Sequence, residues 1–337
     1  MIKVVVVEDS ATQRAVLRRS LEAEGDIVVV GEAATADGAV SAVRRGQPDV
    51  VTVDLNIPGG GEHAIEQIME LEPRPILLLS ARLAGMRDEA LGAMGAGAAG
   101  VLAKPRLGDV AAEETLRSRV RSLNGVRPRK KLVRKDPQKR QPRPAVRRHN
   151  IPIVAIAAST GGPAAVTTLL RDLAGLRVPV LLVQHIAPQL TSSLADWMDR
   201  TTGWIVEVAK DGQALTPGTV HVGPGGQHLG IDAADRIALF DDGAELHRPS
   251  ADRLFASLAE HAGPRTVAAV LTGMGKDGAS GLVALRDAGA MTFGQDDRSS
   301  AVFGMAKAAM EAGAVRRVLP LVALGSAMKR AVKGIQR

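Results

Sequence analysis

The chain reads as an α/β protein, with two doubly wound, mainly parallel sheets joined by an extended linker. Three observations predict this. Short runs rich in valine, isoleucine and leucine alternate with longer helical stretches along most of the 337 residues. Those runs are continuously apolar, as in strands covered on both faces. The alternation is interrupted once, where prolines and basic residues cluster. The length suffices for two domains, each with its own core.

Strands are expected at 3–7, 27–31, 50–53, 76–79 and 100–102. Helices are expected near 11–24, 36–45, 62–71, 86–95 and 108–122. Gly46 sits where a glycine in the left-handed conformation could end the second helix. Residues 1–120 then form one domain and 121–150 a linker holding Pro128, Pro137, Pro142 and Pro144. Residues 151–337 form a second, larger domain that resumes the strand–helix alternation.

Composition narrows the chemistry. With no cysteine, disulfides, thiolate metal sites and thiol nucleophiles are excluded, and the absence of tyrosine removes a phenolic acid or base. Although the pI is near 10, the charge is concentrated. Residues 121–148 carry 12 Lys and Arg against one acid, Asp136, in a chain of formal net charge +7. The remainder is mildly acidic, and aromatic residues make up only 2%. Base-stacking platforms are therefore scarce, and specific nucleic-acid binding is not expected. No signal peptide or membrane span is expected, and the chain reads as soluble and cytoplasmic.

In the first domain, Glu8 and Asp9 follow the first strand, Asp54 ends the third, Ser80 closes the fourth and Lys104 follows the fifth. Ligands of doubly wound sheets gather outside the carboxyl ends of the strands. Three carboxylates converging there repel one another unless a hard cation sits among them, and Mg²⁺ suits such oxygen ligands. Singly, each is an ordinary polar residue at a strand end; five of them at four of the five strand ends carry the signal. This pattern resembles the receiver domains of response regulators. The resemblance implies a flavodoxin-like fold, Asp54 as phosphoryl acceptor from a histidine kinase, and Mg²⁺ held by Glu8, Asp9 and Asp54. Ser80 and Lys104 are implied to sense the phosphoryl oxygens. The Ile57-Pro58-Gly59-Gly60-Gly61 loop is about one residue shorter than is usual for such domains.

In the second domain, Ile153-Val154-Ala155-Ile156-Ala157-Ala158 runs into Ser159-Thr160-Gly161-Gly162-Pro163. Proline favours the first helical position, and the two glycines permit a tight turn with close backbone approach. The stretch is like a G-x-S-x-G nucleophile elbow with Ala157 for the first glycine, and equally like an anion-binding turn. Val180-Leu181-Leu182-Val183 leads to Gln184-His185, and Val267-Ala268-Ala269-Val270-Leu271 to Thr272-Gly273-Met274-Gly275-Lys276-Asp277-Gly278. If these strands are neighbours, a serine, a histidine and an aspartate meet at one sheet edge, as acyl transfer requires. His63, His149, His221, His228 and His261 lack metal-site spacing, and His221 and His228 read as structural.

Together A-S-T-G-G, Q-H, H-R-P-S (247–250) and L-T-G-M-G-x-D-G closely resemble the chemotaxis protein-glutamate methylesterase family, CheB, over essentially the whole chain. The resemblance implies Ser159 as nucleophile, His185 as base and Asp277 as orienting acid. Thr160, Gly161, Gly162 and Met274 would support the site, with the Met274 backbone as oxyanion donor. It further implies hydrolysis of glutamate methyl esters and deamidation of glutamines on methyl-accepting chemoreceptors, with no cofactor for that step. The expected partners are those receptors, at membrane-bound arrays, and a chemotaxis histidine kinase. The unphosphorylated receiver is expected to block the Ser159 cleft. Other readings weighed are a DNA-binding response regulator, which lacks a basic recognition helix here, and a non-catalytic docking protein.

Overall fold

The computed structural model describes residues 1–80, 87–106, 108–126, 151–241 and 247–336. Most of the expected linker, residues 127–150 with His149, lies outside the described residues. The chain divides into two compact units, Met1–Arg134 and Lys135–Arg337.

The first unit runs β1 (Ile2–Val7), α1 (Ala11–Glu22), β2 (Ile27–Ala33), α2 (Ala36–Gly46), β3 (Val50–Asp54), α3 (Gly61–Leu71), β4 (Ile76–Ser80), α4 (Arg87–Ala96), β5 (Gly100–Ala103) and α5 (Val110–Leu123). Its strands pair in the order β2-β1-β3-β4-β5, all parallel. The valines of β1 are buried at the centre of the sheet, with α1 packed on α5 and α2, α3 and α4 packed in a row. Ser10, Thr35 and Asp109 start α1, α2 and α5 by accepting hydrogen bonds from backbone N–H groups three residues on.

One expectation changes here. Gly46 is the last residue of α2 in place of following it, and Gln47 takes the left-handed conformation at φ 41°. A Cβ at Gly46 would lie 3.1 Å from Val30 Cγ2 and 3.2 Å from Val5 Cγ2. The glycine therefore serves close packing of α2 on the sheet. Arg121, within the helix expected near 108–122, belongs to α5 and pairs with Asp26 at 2.7 Å and Glu24 at 2.6 Å. Two carboxylates thus hold the last helical turn.

The second unit runs β6 (Ile153–Ala158), α6 (Gly162–Leu173), β7 (Val180–Gln184), α7 (Thr191–Thr202), β8 (Ile205–Val208), β9 (Thr219–Val222), β10 (His228–Ile231), β11 (Ile237–Phe240), α8 (Ala251–Ala262), β12 (Thr266–Val270), α9 (Ala279–Asp287), β13 (Met291–Gln295), α10 (Met305–Glu311), β14 (Arg317–Leu319) and α11 (Leu321–Ile335). Seven strands pair in parallel in the order β14-β13-β12-β6-β7-β9-β8, and β10-β11 form a separate antiparallel pair. Strand β6 lies between β7 and β12, so the chain leaves it toward one edge and later returns on its other side. That is a topological switch point, where ligands of open α/β sheets bind. Ala155, Ala157, Leu181 and Val183 join Phe255, Leu258, Leu282, Leu285 and Met305 in one core that anchors β6, β7 and β12 beneath the switch point.

Candidate active site

The register of the three central strands brings their polar ends level. Ala157 pairs with Val183 on one side and Val270 on the other, so Ser159, His185 and the loop after Leu271 emerge at one edge. Buried Ala157 is an ordinary strand residue, and the turn begins after it.

Ser159 sits in that turn. Its N–H donates to the Thr272 carbonyl (3.0 Å), and its carbonyl accepts from Gly162 N–H (2.8 Å). Gly161 is the N-cap of α6 with φ 74°, which places Pro163 at the second helical position and not the first. A Cβ on Gly162 would fall 2.1 Å from Gln184 Oε1. Glycine is required because the Gln184 amide lies there, with Nε2 donating to the carbonyls of Ser159 (2.8 Å) and His185 (3.0 Å). One buried side chain thus fixes the backbone of both residues. The N-terminus of α6 opens beside Ser159, so the helix dipole favours negative charge there.

His185 Nε2 lies 2.8 Å from Asp277 Oδ2, and both side chains are about nine-tenths buried. The carboxylate also accepts from Ser250 Oγ (2.8 Å), Ala251 N–H (2.7 Å) and Asp252 N–H (3.0 Å). It therefore rests on the first turn of α8, which Ser250 caps. Burial alone would raise the Asp277 pKa, but the His185 hydrogen bond and the α8 amides outweigh it and hold the group well below the usual carboxylate range. An ionised Asp277 accepting at Nε2 assigns the proton to Nε2 and leaves Nδ1 as the basic nitrogen. Nδ1 is buried and makes no hydrogen bond in this structure.

Thr160 is buried and Met274 is exposed at the rim. Thr272 Oγ1 donates to the Thr160 carbonyl (2.9 Å), and Gln295 Oε1 accepts from Thr272 N–H (2.9 Å). The sequence reading assigned no role to Gln184, Ser250, Thr272 or Gln295. Gln184 and Ser250 stood inside the motifs quoted for it; Gln295 carries no sequence signal, because its part depends on β13 lying beside β12. His221 and His228 are fully buried. Burial lowers the His221 pKa to about 4, and His228 Nδ1 accepts from Ser250 N–H (3.2 Å).

A second cluster lies at the β1–β3 switch point of the first unit. Ligand oxygens of Glu8, Asp9 and Asp54 all lie within 4.8 Å of one another. Lys104 Nζ is 2.7 Å from both Glu8 Oε2 and Asp54 Oδ2, and its N–H donates to the Ser80 carbonyl (2.9 Å). Burial raises the Glu8 pKa, with Lys104 opposing. Burial alone would lower that of Lys104, but hydrogen bonds to Asp54 and Glu8 outweigh it and raise the value. Three carboxylates facing one ammonium leave two negative charges uncompensated, and Asp54 Oδ1 is buried without a hydrogen-bond partner. This all-oxygen set fits a hard divalent cation. The short loop after Asp54 turns through Gly59 and Gly60 in the left-handed region (φ 88° and 86°).

Residues 154–328 match the CheB methylesterase family, and residues 4–115 match the response regulator receiver domain family. The chain is 37% identical to protein-glutamate methylesterase/protein-glutamine glutaminase 2 of Burkholderia thailandensis, over 99% of this chain and 100% of that one. It is 40% identical to the protein of the same name from Anaeromyxobacter dehalogenans, over 97% and 96%. Among solved structures, the CheB methylesterase catalytic domain of Thermotoga maritima superposes with a TM-score of 0.51 at 34% identity, covering 53% of this chain and 98% of that one.

Proposed function

The chain belongs to the CheB methylesterase family and carries a response regulator receiver domain at its N-terminal end, and from that premise we propose that it hydrolyses glutamate γ-methyl esters on chemoreceptors under phosphorylation control. Deamidation of receptor glutamines is the second reaction of the same site. The observation that supports this best is the His185–Asp277 pair, seated on the α8 N-terminus beside the Ser159 turn.

Ser159 Oγ attacks the ester carbonyl and its proton passes to His185 Nδ1, since Nε2–H is engaged by Asp277. Asp277 stays ionised and stabilises the imidazolium. The oxyanion is met by the Met274 N–H and the dipole at the start of α6, with Thr160, Gly161 and Gly162 shaping the turn. Methoxide leaves with the His185 proton as methanol. Water, deprotonated by His185, then attacks the acyl-serine and frees the glutamate carboxylate and Ser159. With a glutamine substrate, ammonia leaves in place of methanol.

In the receiver, Asp54 accepts a phosphoryl group from a chemotaxis histidine kinase. Glu8, Asp9 and Asp54 would hold Mg²⁺, which when bound neutralises charge on the transferring phosphoryl oxygens. Lys104 and Ser80 reach those oxygens from β5 and β4. Phosphorylation relieves inhibition by the unphosphorylated receiver, a bias on a two-state equilibrium. We place the domains at 1–120 and 151–337 with the basic linker between. No helix among the described residues is long and apolar enough to cross a membrane, so its action at receptor arrays depends on docking.

The test is methanol release from methylated receptor membranes, with Mg²⁺ and with or without a small-molecule phosphodonor. Wild type should release methanol and respond to phosphodonor, Ser159→Ala should release none, and Asp54→Ala should keep basal release without stimulation. Full release by Ser159→Ala, or undiminished stimulation of Asp54→Ala, would overturn the corresponding assignment.

A further inference from the structure

We propose that His247 is a positioning residue for the base, acting by covering one face of the His185 ring. The inference rests on the roles assigned to Ser159 and His185 above. The two rings are stacked, with centroids 4.2 Å apart and planes inclined by 21°.

The physical need arises from how His185 is held. Its backbone is fixed, because its N–H donates to the Ala158 carbonyl (2.9 Å) and its own carbonyl accepts from Gln184. The freedom that remains is rotation of the ring. The Asp277 hydrogen bond grips the ring at Nε2, within its plane. Hydrogen bonds tolerate bending, so this contact alone resists rocking of the plane only weakly. A flat neighbour on the ring face resists the same motion by van der Waals exclusion, which rises steeply with displacement. Nδ1, which has no hydrogen bond of its own to hold it, is the atom whose direction rocking would change.

The location of His247 makes this device economical. Four residues, His247 to Ser250, carry the stacking ring at one end and the Asp277-binding hydroxyl at the other. Ser250 is itself anchored by its N–H on buried His228. One short stretch therefore positions both the base and the acid.

Phosphonylation of Ser159 by a fluorophosphonate reads nucleophile activation without receptor docking. Ser159 Oγ bonds to phosphorus, fluoride leaves, and the serine proton passes to His185. The full chain is compared with Ser159→Ala, His247→Phe, His247→Leu and His247→Ala, with thermal midpoints recorded for each. Labelling of Ser159→Ala at the wild-type rate would overturn the nucleophile assignment and, with it, the proposal that rests on it. With labelling dependent on Ser159, the flat Phe ring should stay within about threefold of wild type. Leu and Ala should slow the reaction about 10- to 100-fold at unchanged melting temperature, the scale of a misaimed catalytic group. Wild-type rates in Leu and Ala, or an equal loss in Phe, would overturn the proposal.

Discussion

The Glu8–Asp9–Asp54 cluster and the Ser159–His185–Asp277 site occupy the same place in two sheets, outside the first strand at a topological switch point. They differ in who satisfies their charges. In the first unit, two of the three clustered carboxylates, Glu8 and Asp54, share one lysine, and Asp54 Oδ1 has no donor. In the second, a single carboxylate receives four hydrogen bonds, two of them from amides at the start of α8. The first arrangement leaves negative charge unmatched within the chain, whereas the second satisfies its carboxylate there. Topology thus sets where chemistry happens, whereas the number of local donors sets whether the site is a switch or a preorganised catalyst.

The strongest way to break this contrast is to remove the charge that the second site is built to hold. Asp277→Asn keeps the shape but loses the carboxylate that fixes the Nε2–H tautomer, and should lower methanol release about 10³- to 10⁴-fold. If turnover fell less than tenfold, the α8-bound carboxylate would not be what prepares His185. A milder version removes one donor. Ser250→Ala deletes a hydrogen bond to a buried charge, which should reduce kcat about 10- to 100-fold. It also removes the α8 cap, at about 1 kcal/mol by chemical denaturation.

pH sharpens the comparison because the two sites respond with opposite sign. Asp277 has a folded pKa below its ordinary 3.8, so its stabilisation is present above that value and is lost only as pH falls through the lower folded value. Glu8 has a folded pKa above its ordinary 4.5, so its contribution is present below that value and is lost as pH rises through the raised one. Amide exchange between pH 4.5 and 7 should therefore show the β1–β3 region losing protection with pH while α8 and β12 hold theirs. With Mg²⁺ held by the ionised carboxylates as proposed, adding it should restore the first and leave the second unchanged. Equal responses in the two units would remove the distinction.

The smallest effect is expected at Gly46, far from both sites. Gly46→Ala gains about 1 kcal/mol of helix propensity but presses on Val5 and Val30, at a comparable overpacking cost. The net change in unfolding free energy should lie within about 1 kcal/mol.

How much was legible in advance follows from the reach of each signal. Strand positions were readable because β-branched runs and the polar residues that follow them are local signals. Gly46 misled because a glycine near a helix end fits a left-handed cap equally well, and only the proximity of Val5 and Val30 shows its use. Gln295 and Ser250 could not be placed by spacing. Each reaches its partner, Thr272 or Asp277, across 23 or 27 residues through contacts made after the sheet assembles.

The sequence by itself therefore determined which residues end the strands, and with them the two chemistries available. It did so because secondary structure follows short-range periodicity, and reactive side chains retain their chemistry in any fold. The order β12-β6-β7, the seating of Asp277 on α8, the pairing of His185 through Nε2 and the His247 stack were decided only by the tertiary structure. Each depends on groups distant along the chain becoming neighbours, and hydrogen bonds and ring contacts act only over a few ångströms.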